Sequence, residues 1–72
     1  METAIEKLVE EKKQLDERLR ELKRFNNSEY ARGLKVTDFA LRIKQQAAMQ
    51  QYSDILKQRL HRFELQYKIK IL

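Results

Sequence analysis

Residues 41–63, LRIKQQAAMQQYSDILKQRLHRF, contain neither Gly nor Pro and are long enough for a helix of about six turns. Their apolar members, Leu41, Ala48, Met49, Tyr52, Ile55, Leu56, Leu60 and Phe63, fall at helical spacings. Together they predict one broad apolar stripe, wider than the seam of a two-stranded coiled coil. Gln45, Tyr52 and Arg59 recur every seventh residue inside that stripe. Seven residues is nearly two helical turns, so the three stack along one line. A polar line in an apolar stripe has two explanations. It is a polar network that fixes the register of a helical bundle, or it is the wall of a ligand pocket. Arg59 sharpens the question, because an unpaired buried charge is costly and needs a carboxylate, carbonyls or an external anion.

Upstream, Thr3 and Glu6 form a T-x-x-E capping box that starts a first helix at about residue 3. Leu8, Leu15 and Leu22 occupy heptad d positions, with Ile5, Lys12, Leu19 and Asn26 at a. The opposite face is charged, with candidate pairs Asp16–Arg20, Glu10–Lys13 and Glu21–Arg24. Asn26-Asn27-Ser28 ends this helix near residue 25, since these side chains compete for backbone hydrogen bonds. Residues 26–36 form the connection, with a short helical turn at 28–32 and Gly33 suited to positive φ. Thr37 or Asp38 caps the second helix, which runs over about 37–66. At 1.5 Å per residue the helices measure roughly 35 and 45 Å, so the second overhangs by about 10 Å. That overhang carries Phe63 and Tyr67 and argues for association. In the tail 67–72, apolar and basic residues alternate, which fits a short strand or a frayed helix end equally.

The fold class is therefore all-α: a single-domain antiparallel two-helix hairpin over residues 1–72, assembling as a helical bundle through homo-oligomerisation, dimeric or higher. Seventy-two residues bury little core alone. With no Cys and one His, His61, disulfides and Cys- or His-rich metal sites are excluded. Oligomerisation is the remaining way to enlarge a core formed by Leu15, Leu19, Leu22, Met49 and Leu56. No apolar run reaches membrane-spanning length, and no signal-peptide pattern is visible, so a cytoplasmic location is expected.

The net charge of +5 is uneven. Residues 1–36 hold nine Lys/Arg and eight Asp/Glu, whereas residues 37–72 hold seven and three. The second half favours nucleotides, nucleic acid or an acidic protein face, or is simply a solvated basic surface. No glycine-rich phosphate loop exists. Ser53, Asp54 and His61 do not form a triad, because adjacent helix positions face apart. Catalysis and cofactor binding are not expected. Nucleic-acid binding is disfavoured, since Tyr52, Phe63 and Tyr67 lie on the apolar stripe and no basic-region run is present.

Two patterns carry a family resemblance. Helix 1 reads E-K-L-x-x-E-x-x-x-L-x-x-R-L-x-x-L-x-x-F from Glu6, and helix 2 reads L-x-x-x-Q-x-x-A-M-x-x-Y-x-x-I-L-x-x-R-L over Leu41 to Leu60. Over about residues 6–60 the chain resembles small helical-hairpin proteins of tailed phages, related to proteins of crAss-like phages. The connection, EYARGLKVTD, departs from the acidic segment usual there. The resemblance implies a phage origin and a hairpin fold. By analogy of size and setting, it suggests a counter-defence protein in the host cytoplasm that captures a cyclic-nucleotide immune signal at a subunit interface. Arg59 and Arg62 would then hold phosphate, with Arg42 as a further candidate. Tyr52 would stack on or hydrogen-bond a base, Gln45 would read a base edge, and Arg32 and Lys35 would close over the ligand. The alternative is a module that inhibits or scaffolds a host or phage protein through its helical face.

Overall fold

A computed structural model describes residues 3–72. It is all-helical: α1 spans Ala4–Asn26, α2 Glu29–Arg32 and α3 Val36–Tyr67. α1 starts at the expected cap, where the Thr3 hydroxyl accepts the Glu6 N–H at 3.0 Å. At its end the Ser28 hydroxyl donates to the Phe25 carbonyl at 2.6 Å, which turns the chain into α2. α3 begins at Val36, one residue before Thr37 and two before Asp38, the expected caps. Lys35 occupies the N-cap position and no side chain caps it. Gly33 has φ −81°, not the positive φ its type allows. It serves only as the C-cap of α2.

α1 and α3 pack antiparallel, with Leu8 beside Leu56 and Leu60 at one end and Asn26 beside Arg42 and Gln46 at the other. The buried side of α1 is the heptad line Leu8, Leu15, Leu19, Leu22 and Asn26, with Lys12 half-buried on it. The facing line of α3 is Phe39, Arg42, Gln46, Met49, Ser53, Leu56, Leu60 and Phe63, all buried or half-buried. These also alternate by three and four residues, so α1 and α3 meet as two coiled-coil seams.

Hence the broad stripe expected on α3 divides. Met49, Leu56, Leu60 and Phe63 face α1, whereas Leu41, Ala48, Tyr52 and Ile55 are exposed. The overhang is split between the two ends of α3. Phe63 packs against the Leu8–Leu15–Leu56–Leu60 cluster and stacks on Tyr67 at 6.3 Å, while Tyr67 stays exposed, as expected. At the other end Asn26, the last residue of α1, meets Arg42 and Gln46, so the first turns of α3 run past α1 as well.

The tail is neither strand nor frayed helix. Lys68 closes α3 in the left-handed conformation, φ 54° and ψ 46°, a strained choice for a residue with a Cβ. The chain then folds back. The N–H groups of Ile71 and Leu72 donate to the Glu64 carboxylate at 2.8 and 3.3 Å, and Ile71 packs against the core cluster.

The interior is partly polar. Lys12 Nζ lies 2.6 Å from Asp16 Oδ2 and donates to Ser53 Oγ at 3.2 Å, while the Ser53 hydroxyl donates to Asp16. Asp16 thus pairs with Lys12 rather than with Arg20 as its spacing suggested. Burial, the largest single influence, pushes the Asp16 pKa up. The hydrogen bonds from Lys12 and Ser53 and the charges of Lys12 and Arg20 outweigh it and hold the carboxyl below its usual 3.8. A depressed native pKa adds stability that is present at neutral pH and lost as the pH falls through the native value. The melting temperature of Asp16→Asn should therefore lie below wild type at pH 7, and the gap should close as the pH falls below the ordinary carboxylate value of 3.8. A gap that persists undiminished at the acid end would assign the loss to packing instead.

Candidate functional site

The exposed residues of α3 have an order of their own. Leu41, Gln45, Ala48, Tyr52, Ile55, Arg59, Arg62 and Gln66 alternate by four and three residues without interruption, and every one is exposed. Their exposed apolar members are large: Leu41 62%, Ile55 54% and Tyr52 45%. This is a second seam, one residue behind the α1-facing one and therefore rotated from it by about 100°. Gln45, Tyr52 and Arg59, the polar line of the sequence, form its alternate layers. Arg59 is thus not a buried charge within one chain.

The basic end of this seam is poor in acid. Residues 57–72 hold Lys57, Arg59, Arg62, Lys68 and Lys70 against Glu64 alone. The Glu64 carboxylate is already engaged by the tail amides and by His61 Nδ1 at 3.3 Å. The backbone hydrogen bond from Ile71, then that from Leu72, hold its pKa below the usual value. Among the described residues, the ion pairs are Lys12–Asp16 and His61–Glu64, so neither Arg59 nor Arg62 has a carboxylate partner. Both line a shallow recess of 210 Å³ with Phe63 and Gln66. Two guanidinium forks at an open recess suit phosphate or carboxylate oxygens, which they can hold in bidentate fashion.

The other candidate residues lie elsewhere. Tyr52 sits mid-seam, and its hydroxyl donates to Glu11 of α1, so the ring is held at the seam's edge. Gln45 lies about 21 Å from Arg59 along the helix. Arg42 belongs to the inner seam, where its Nε donates to Asn26 Oδ1 at 3.2 Å and its guanidinium covers the Phe25 ring at 4.1 Å. Arg32 lines a 360 Å³ recess at the bend, with Asn26, Ala31, Leu34 and Phe39 among its neighbours. Lys35 precedes α3, about 36 Å from Arg59. One chain therefore gathers Arg59 and Arg62 but does not bring Gln45, Arg32 or Lys35 to them.

Sequence reasoning passed over Ala48, whose small side chain opens space on the seam, and the tail amides that occupy Glu64. Writing the heptad frame twice along α3, one residue apart, would have revealed the first. The second depends on a left-handed Lys68 that no residue type announces. Among the described residues, no cluster of His, Asp and Glu could hold a metal ion, and no helix is long and apolar enough to cross a membrane.

A family model described as Sequestin matches residues 2–62, which takes in both helical patterns and ends at Arg62. No curated protein matches the chain, and no solved structure does.

Proposed function

The chain belongs to the Sequestin family, and on that premise we propose that it is a non-enzymatic binding protein that sequesters an anionic cyclic-nucleotide immune signal at a subunit interface. The family's name points to sequestration and not to catalysis. In this reading the protein is a phage counter-defence factor acting in the host cytoplasm. The observation that carries it is the pair of exposed guanidiniums, Arg59 and Arg62, at one recess with no carboxylate partner among the described residues. Tyr52 supplies a ring for a base, and Ala48 leaves room beside it.

A second reading draws on the exposed Ile43 and Leu65, which lie off both seams. They suit a protein partner, and the basic end of α3 suits an acidic face on it. The two readings part in a thermal-shift screen with cyclic di-AMP, cyclic di-GMP and cyclic triadenylate. A ligand at a hundred times its Kd stabilises the native state by about 2.7 kcal/mol. For a domain of this size that is a rise in Tm of roughly 10–20 °C. An unmoved Tm across the panel would favour the protein-binding reading.

A further inference from the structure

Resting on the anion-binding reading above, we propose that the site is composite. Two copies of the chain pair antiparallel along the outer seam of α3. Each of two ligand positions takes Gln45 and Ala48 from one copy and Arg59 and Arg62 from the other.

The outer seam keeps strict heptad spacing from Leu41 to Gln66, and all eight of its residues are exposed. Such a seam matches another helix of the same spacing. It is rotated by about 100° from the face that α1 covers, the arrangement of a helix at the corner of a four-helix bundle, with neighbours on two adjacent sides. α1 has no comparable second seam, as Val9 is its only large apolar side chain exposed among the described residues. The partner of α3 is therefore another α3, with the two α1 helices flanking.

Charge selects the direction. The seam contains no acidic residue. Parallel pairing would crowd Arg59 and Arg62 of both copies at one end with no counter-charge, whereas antiparallel pairing sends the two basic clusters to opposite ends. The register that overlaps the whole seam sets Leu41 against Gln66, Gln45 against Arg62, Ala48 against Arg59 and Tyr52 against Ile55. Tyr52 and Ile55 of both copies then form an apolar centre, with each Tyr52 ring bordering the space one turn away at Ala48, where a base stacks. On either side, the small Ala48 leaves space at an Arg59 guanidinium, and a Gln45 amide stands within reach of Arg62. This resolves the separation of about 21 Å between Gln45 and Arg59 in one chain, which is too far for one nucleotide.

Subunit mixing tests the composite site. Gln45→Ala and Arg62→Ala should each weaken calorimetric binding of cyclic di-AMP by about tenfold or more. In a co-refolded equimolar mixture, half the dimers are mixed and each carries one intact site. Wild-type affinity should then return at about a quarter of wild-type capacity. Mixed dimers seen by native mass spectrometry without that recovery would overturn the proposal. A ligand-free arm uses the absence of native cysteine. Ala48→Cys mixed with Arg59→Cys should cross-link between the two variants on mild oxidation. Cross-linking of Ala48→Cys to itself would indicate parallel pairing, and no cross-link would remove the seam, so either result overturns the proposal. If the mixed cross-link forms but wild type binds no cyclic nucleotide, the nucleotide reading and the ligand positions fall and only the pairing stands.

Discussion

Leu60→Ala should destabilise the protein by about 2–5 kcal/mol, and Leu56→Ala should do much the same. Both side chains are fully buried, at 0% exposure, where α3 meets Leu8 and Leu15 of α1. Truncation removes their transfer free energy and leaves a cavity that the close-packed surroundings refill only in part. A chain of 72 residues has a total stability of roughly 4–11 kcal/mol, so either substitution takes a large share of it. Urea denaturation followed by circular dichroism measures the loss. Leu65→Ala is the control, because that side chain is 66% exposed on the same helix, and it should stay within about 0.5 kcal/mol of wild type. If Leu60→Ala matched Leu65→Ala, the antiparallel pairing of Leu60 with Leu8 would be wrong.

α1 was legible because it has one apolar seam and a charged remainder. Its leucines therefore name its buried face without ambiguity, and even Lys12 and Asn26 could be placed from the heptad frame. α3 was less legible for a physical reason. Its apolar residues lie on two seams only one residue apart in the heptad frame, and on a helical projection these merge into one broad stripe. Residue type then misleads in both directions. Ser53, Gln46 and Arg42 are on the inner seam because Asp16, Lys12 and Asn26 offer hydrogen bonds across the hairpin. Leu41, Tyr52 and Ile55 are exposed because the apolar seam of α1 packs on the inner line, and α1 meets Tyr52 at its hydroxyl, through Glu11. The basic character of the outer seam was readable, and so was the seven-residue line of Gln45, Tyr52 and Arg59. What could not be read was the span of that line, which one chain does not fold into a single site. The strained Lys68 and the returning tail also left no signal, since the left-handed C-cap usually announces itself with Gly or Asn.

Arg59→Met should leave the hairpin folded and remove most of the anion affinity. Arg59 is exposed and makes no ion pair among the described residues, so among them its charge has no partner to lose. Methionine keeps an unbranched apolar stem at the same position, and the melting curve should shift little. Against an anionic ligand the consequence differs. A charge-assisted hydrogen bond contributes about 1.5–3 kcal/mol, which corresponds to roughly 10- to 150-fold in Kd. A bidentate fork lost from a partly desolvated recess belongs at the upper end of that range. Arg59→Lys separates charge from geometry. It keeps the positive charge but not the planar fork, so its affinity should fall between those of wild type and Arg59→Met. Calorimetric titration of the three proteins with cyclic di-AMP, cyclic di-GMP and cyclic triadenylate, beside their melting curves, gives the order. Equal binding by wild type and Arg59→Met would take Arg59 out of the site and leave the anion to Arg62 and Lys57. A collapse in the stability of Arg59→Met would show that the guanidinium already has a protein partner in the assembled state, and the polar line would then be a register device. Wild type that binds no cyclic nucleotide would turn the same basic seam towards an acidic protein surface, where Arg59→Met should weaken the partner's association instead.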